Sequence, residues 1–393
     1  MASSLAIIIL LGLIANKIFQ KLKLPGLLGM LILGILIGPH GLNWLSKDIL
    51  NTSADLRKIA LIVILLRAGL GLNKDELKLV GKTALKLSCV PGIIEGFFIA
   101  VASTKLLGFS FIQGGLLGFI IAAVSPAVVV PQMLNLIDKG LGKSKGIPTL
   151  ILAGASIDDV FAITIFSTFL GLYSGKNINI SMQILKIPVS IILGTLIGLL
   201  SAIIIIKIFR KYNIDNTKKI LIVLSISIML TLIETLLKGK LEIASLLGVM
   251  ALGFMVSDKI PNVGDKLSKG LNEIWVFAQI LLFVLVGAEV NVIVAFRSGF
   301  LGIIIIALGL IGRSIGVLIS LKGSNLNKKE KLFCVISYTP PKATVQAAMG
   351  AVPLANGVAS GDIILAISVL SILITAPLGA VAINLSGPKL LEI

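Results

Sequence analysis

Histidine occurs once and cysteine twice in this 393-residue chain, too few for a clustered His/Cys metal centre. Cys89 and Cys334 both fall inside apolar runs, so no disulfide framework is indicated and the redox compartment stays open. Aromatic residues are 5% and charged residues 13% of the sequence. The Lys and Arg come in short clusters with few aromatics between them, which argues against a nucleic-acid partner despite the formal charge of +17. Acid is the scarcer charge, with 18 Asp and Glu against 35 Lys and Arg. The chain as a whole is 56% hydrophobic, a composition that excludes an ordinary soluble domain and reads as a polytopic membrane protein.

The N-terminal stretch "MASSLAIIILLGLIANKIF" has no basic leading region and no small-residue cleavage site, so it reads as a retained first span. A crossing takes about 20 apolar residues, and by that measure the sequence predicts about thirteen helical spans. They lie near 3–19, 25–40, 56–72, 82–106, 112–137, 147–171, 183–208, 217–237, 243–257, 271–288, 298–320, 331–352 and 361–385. Connections after odd-numbered spans include "NKIFQKLKLPG", "DKGLGKSKG", "KIFRKYNIDNTKK" and "KGSNLNKKEK". These odd connections hold roughly twice the Lys and Arg of the even ones, which assigns them to the cytoplasm. The expectation is a multi-pass protein of a cell (plasma) membrane, N-terminus outside and C-terminus cytoplasmic.

Two spans are interrupted by proline. The fifth contains "AAVSPAVVVPQM", with Pro126 and Pro131, and the twelfth contains "SYTPPKATVQAAMG", with Pro340 and Pro341. Proline removes a backbone donor and clashes with the preceding turn, so each helix is expected to break or unwind there. Open backbone at membrane depth is tolerated only where it is buried or lines a cavity. Similar breaks at corresponding places in two halves point to an inverted-repeat transporter with a midplane site; ordinary proline kinks are the plainer alternative.

Against this apolar background the charged residues within spans stand out. Asp158 and Asp159 are neighbours in "GASIDDVFAI", and an Asp at the bilayer centre costs about 2.5–3.5 kcal/mol on insertion scales. Adjacent helical residues point about 100° apart, so one acid can face a water-filled cavity and the other a neighbouring helix. Lys342 follows the Pro-Pro break directly and is the obvious partner for one Asp, unless it snorkels to an interface. Glu95 in "CVPGIIEGFF" and Arg313 in "LGLIGRSIGV" occupy the fourth and eleventh spans, equivalent under the repeat, and read as a structural ion pair. Arg67, Glu234 and Glu289 lie near span ends, and His40 is alone in "IGPHGL".

A buried carboxylate needs a proton or a cation to neutralise it. If one Asp accepts either, competition between them yields coupled exchange, and a second acid joined to Lys342 adds another titrating unit. Half-helix ends and unwound carbonyls supply further cation ligands. Ser125 and Ser156 are candidate oxygen ligands, although mid-helix serines more often bond their own backbone.

Five motifs in order, "RAGLGL" at 67–72, "SPAVVVPQM" at 125–133, "GIPTL" at 146–150, "GASIDDVFAI" at 154–163 and "PPKATVQAA" at 340–348, resemble the monovalent cation/proton antiporter superfamily. More narrowly, the chain is similar to the NHA branch of the sodium/proton exchangers. The resemblance implies an all-α fold of two six-helix inverted repeats with crossed discontinuous helices. It implies a dimerisation domain from 1–76 and 213–292, a core ion-translocation domain from 77–175 and 293–393, and a linker helix over 176–212. It assigns ion binding to Asp159, pairs Lys342 with Asp158 and Glu95 with Arg313, and implies a homodimer that needs no cofactor. An adjacent Asp pair resembles the electrogenic members.

The expected activity is exchange of Na⁺ or Li⁺ for H⁺ by alternating access. A K⁺/H⁺ antiporter and a sodium-coupled organic-anion symporter of related fold are the transport alternatives. An intramembrane aspartyl protease needs one acid from each of two facing helices, whereas here the two are neighbours on one helix. An enzyme is therefore not expected.

Overall fold

In the computed structural model the described residues are 1–22, 24–175, 180–237, 241, 243–297 and 299–392, and every regular element among them is helical. The first half runs through α1 (Ala2–Lys21), α2 (Gly26–Ile37), the short α3 (Lys47–Asn51), α4 (Ser53–Gly71), α5 (Lys74–Leu87) and α6 (Val90–Leu107), then α7 (Phe111–Ile121), α8 (Pro126–Asp138) and α9 (Ile147–Tyr173). One long helix, α10 (Ile180–Lys211), leads to the second half. There follow α11 (Asn216–Leu237), α12 (Ser245–Lys259), α13 (Pro261–Ala288), the short α14 (Val292–Arg297) and α15 (Gly299–Ser320). The chain ends with α16 (Lys328–Tyr338), α17 (Thr344–Met349), α18 (Val352–Ala355) and α19 (Gly361–Leu390). Each expected span coincides with helix. The start of the expected linker, 176–179, lies outside the described residues.

Local chemistry accounts for most boundaries. Ser110 and Gln113 form a capping box that opens α7, Asn327 and Glu330 form another that opens α16, and Gly108 closes α6 at a left-handed φ of 69°. Pro126, Pro148 and Pro261 stand in first turns, where a missing N–H leaves no carbonyl unpaired. Two departures from expectation concern proline. The fourth span, read as one helix over 82–106, is two, because Pro91 restarts the helix as α6 after the break at Ser88 and Cys89. Pro131, expected to unwind the fifth span, lies inside α8 without ending it; Pro126 alone marks the break. A proline within a buried membrane helix is tolerated when its neighbours satisfy the freed carbonyl.

The helices sort into two packed groups. In one, α4 packs on α12 and α13, α2 on α1 and α13, and α10 on α12. In the other, α6 packs on α7 and α15, α9 on α5, α7 and α8, and α19 on α8, α14 and α16. Outside, α1, α10, α11 and α15 expose Leu10, Ile14, Leu200, Ile204, Met229 and Ile311, the apolar exterior that lipid requires. Among the described residues, nine helical stretches are long and apolar enough to cross a membrane, two of them, Lys74–Leu107 and Phe111–Asp138, running across the breaks between α5 and α6 and between α7 and α8. The protein is a multi-pass membrane protein.

Where helices touch, small residues let backbones approach, because lipid supplies no hydrophobic drive between helices. A Cβ on Gly198 would lie 2.1 Å from the Gly248 carbonyl oxygen, and one on Gly194 would lie 2.2 Å from that of Ala244. Gly198→Leu is therefore expected to force α10 off α12 at a cost of about 1–3 kcal/mol. A lower midpoint in heat-challenged size-exclusion chromatography would show it; native melting would mean the contact is not needed.

Candidate functional site

The two broken spans meet back to back. α7 ends at Ile121 and α8 begins at Pro126, while α16 ends at Tyr338 and α17 begins at Thr344. The Ser125 N–H donates to the Pro341 carbonyl at 2.7 Å, and the Ser125 and Thr344 hydroxyls are 3.3 Å apart. Gln346, in the first turn of α17, extends its amide to the end of α7. Its Nε2 donates to the carbonyls of Ile120 (2.9 Å), Ile121 (3.2 Å) and Ala123 (2.9 Å). Those carbonyls belong to the last turn of α7 and the break that follows it, where the helix ladder stops and acceptors need outside partners.

Arg313, on α15, reaches four other elements. Its Nη1 donates to Glu95 Oε2 at 2.8 Å and to the Ala122 carbonyl, its Nη2 to Asp158 Oδ1 at 3.0 Å, and its Nε to the Tyr338 carbonyl at 2.6 Å. The guanidinium also lies over the Tyr338 ring, 4.9 Å from its centroid. Lys342 Nζ donates to the same Glu95 oxygen at 2.7 Å and to the Ala122 carbonyl at 3.4 Å. Asp158 Oδ2 accepts the Val124 N–H at 2.7 Å. Glu95, Arg313 and Lys342 are fully buried and Asp158 almost so.

The placement follows backbone electrostatics. Both cations lie at half-helix C-terminal ends, where carbonyls carry partial negative charge, and Asp158 takes an N–H in the break just ahead of α8. Two acids meet two bases, so the cluster of Glu95, Asp158, Arg313 and Lys342 is balanced. Asp159 stands outside that balance. It is half-buried, and its Oδ1 is enclosed with no hydrogen-bond partner. The Asp pair thus divides as adjacent helical positions require, one acid committed to neighbouring helices and one with open valence.

The family profile described as sodium/hydrogen exchanger, transmembrane, matches residues 5–384. The chain belongs to that family. Similar curated family members include sodium/hydrogen exchanger 9B2 of Mus musculus, 35% identical with 96% of this chain and 71% of that one covered. The 9B2 and 9B1 exchangers of Homo sapiens are 35% and 33% identical, over 98% of this chain and 72% and 78% of their own lengths. Among solved structures, the sodium proton antiporter MjNhaP1 from Methanocaldococcus jannaschii at pH 8 is similar, with a TM-score of 0.79. The match spans 99% of this chain and 98% of that one at 21% identity, a likeness that establishes the antiporter fold expected from the motifs.

Within this exchanger-family chain, one pairing differs from the expected one. Lys342 was expected on Asp158, but its ammonium bonds Glu95, and Asp158 is held by Arg313. The forked guanidinium spans two carboxylates at once, which a point-charge ammonium does not. Glu95 and Arg313 do pair. Ser125 lies at the crossing, whereas the Ser156 hydroxyl donates to its own helix at Leu152 (2.8 Å) and contacts Met250 Sδ at 3.2 Å. Nearer the span ends, Arg67 pairs with Asp138, Glu289 with Arg57, and Glu234 accepts from Ser245. Sequence reasoning missed Gln346 and Tyr338. The signal for Gln346 was present, a long amide within one turn of a Pro-Pro break; Tyr338 had none beyond lying just before it.

Proposed function

We propose that this chain is a secondary active antiporter that exchanges Na⁺ or Li⁺ for H⁺ by alternating access, with proton and cation competing for Asp159. The observation that carries the reading is the charge arithmetic of the crossing. Four buried charges neutralise one another, and Asp159 is the remaining acid, with an unpartnered oxygen. A single unmatched carboxylate accepts one positive charge at a time, proton or metal, and that exclusivity couples the two fluxes. Ser125, Ser156 and nearby carbonyls are the further oxygen ligands we assign to the cation. This is transport, not enzyme chemistry, and it uses no resident cofactor.

Purified protein in proteoliposomes with an imposed proton gradient tests the proposal. Addition of Na⁺ or Li⁺ dissipates the gradient; silence with Na⁺, Li⁺ and K⁺ would overturn the reading, and a response to K⁺ alone would make it a K⁺/H⁺ antiporter.

We further propose that exchange is electrogenic, with Lys342 carrying the second proton. Arg313 cannot release one, and Lys342 is the base in the cluster that can. Lys342→Met should then remove the dependence of exchange on an imposed membrane potential. Potential dependence equal to native would assign the second proton elsewhere. The orientation read from the loops, the homodimer, and the division into dimerisation and core domains complete the proposal.

A further inference from the structure

A cavity of about 380 Å³ opens beside the crossing, on the side of the connections that follow α2 and α13. Its polar wall residues are His40, Ser53, Glu289, Asn291 and Gln346. Four of these are engaged with neighbours. Glu289 Oε1 accepts from Arg57 Nη2 at 2.5 Å and from Ser53 Oγ at 3.4 Å, and Asn291 Nδ2 lies 3.1 Å from His40 Nδ1. The fifth is different. Gln346 is 1% exposed, and its Oε1 is buried with no hydrogen-bond partner. Among the described residues with such an unpartnered side-chain oxygen, Gln346 alone lines this cavity.

The orientation of the Gln346 amide follows from its surroundings. Three carbonyl oxygens converge on one end of it, and carbonyls only accept, so that end is the NH₂ and the oxygen is turned away. A point about 3 Å from three carbonyl oxygens also has the chemistry of a coordination site for a monovalent cation, and here the amide nitrogen fills it. Val345, the residue before Gln346, packs with Ala123 and with Ala162 of α9, three residues after Asp159.

Resting on the antiporter reading above, we propose that Gln346 is the specificity-determining ligand between this cavity and Asp159. Its Oε1 replaces part of the water shell of a small monovalent cation leaving the cavity. Its Nε2 plugs the carbonyl cage of Ile120, Ile121 and Ala123, which would otherwise hold larger, weakly hydrated cations. One side chain thus offers the cation an oxygen and withholds three others.

Two variants separate these roles in the proteoliposome assay. Gln346→Met keeps the volume and loses both groups; its KM for Na⁺ should rise about tenfold, the worth of one polar ligand, with a smaller change in turnover at saturating Na⁺. Gln346→Glu keeps an oxygen but loses the donor, so Na⁺ affinity should be retained while the ratio of Na⁺ to K⁺ transport falls. If Gln346 only caps α7, both variants melt earlier with native KM and native ion ratios, and the proposal is overturned. Should the native protein exchange no cation, the antiporter reading fails. Melting with and without Na⁺ then still reads Gln346: a Na⁺ shift reduced in Gln346→Met supports it, and equal or absent shifts overturn it.

Discussion

Proteoliposomes bearing Asp159→Asn should show no response to Na⁺ or Li⁺ beyond that of empty vesicles. The substitution keeps shape and removes the charge for which, on the proposed reading, proton and cation compete. It should also spare the fold, because Asp159 Oδ1 has no hydrogen-bond partner to lose. Binding is read separately by melting. A ligand at a hundred times its Kd stabilises the native state by about 2.7 kcal/mol, a shift that Asp159→Asn should not show. A variant that still exchanges Na⁺ for H⁺ would move the site elsewhere in the crossing.

Arg313→Met should cause the largest loss of stability of any substitution at the site. Breaking a buried ion pair by removing one partner costs about 3–5 kcal/mol, because the other charge is left uncompensated. Here Asp158 would keep only the Val124 N–H, while the Tyr338 carbonyl would lose its side-chain donor. Glu95 would be spared by Lys342. For the same reason Lys342→Met should cost less, since Arg313 continues to hold Glu95. Adding Asp158→Asn to Arg313→Met should recover part of the loss, the signature of direct coupling in a double-mutant cycle. Melting points read these differences, and native melting of Arg313→Met would reject the network as a structural element.

The spans and both breaks were legible because they rest on local rules: run length, the missing N–H of Pro126 and Pro340–Pro341, and the cost of charge within apolar sequence. All of the crossing's charged residues could be named for the same reason. Who holds whom was not legible. Glu95 lies within reach of both Arg313 and Lys342, and only the packing of α6, α15 and the twelfth-span break decides that one oxygen serves both. The split between α5 and α6 was hidden because Pro91 lies in an apolar run that reads as continuous. Gln346 carries no charge, so a search for misplaced charge passes over it, although it bonds three carbonyls in the last turn of α7 and the break that follows it.

The stitching of the two breaks has a mechanical consequence. Sliding one broken span past the other would sever the bond from Ser125 to Pro341 and the three bonds of Gln346. Each buried polar group left unsatisfied costs about 1–3 kcal/mol. The crossing is therefore expected to behave as a stiff joint. On the antiporter reading proposed above, an ion held at the crossing would travel with that joint as a passenger and move little relative to it.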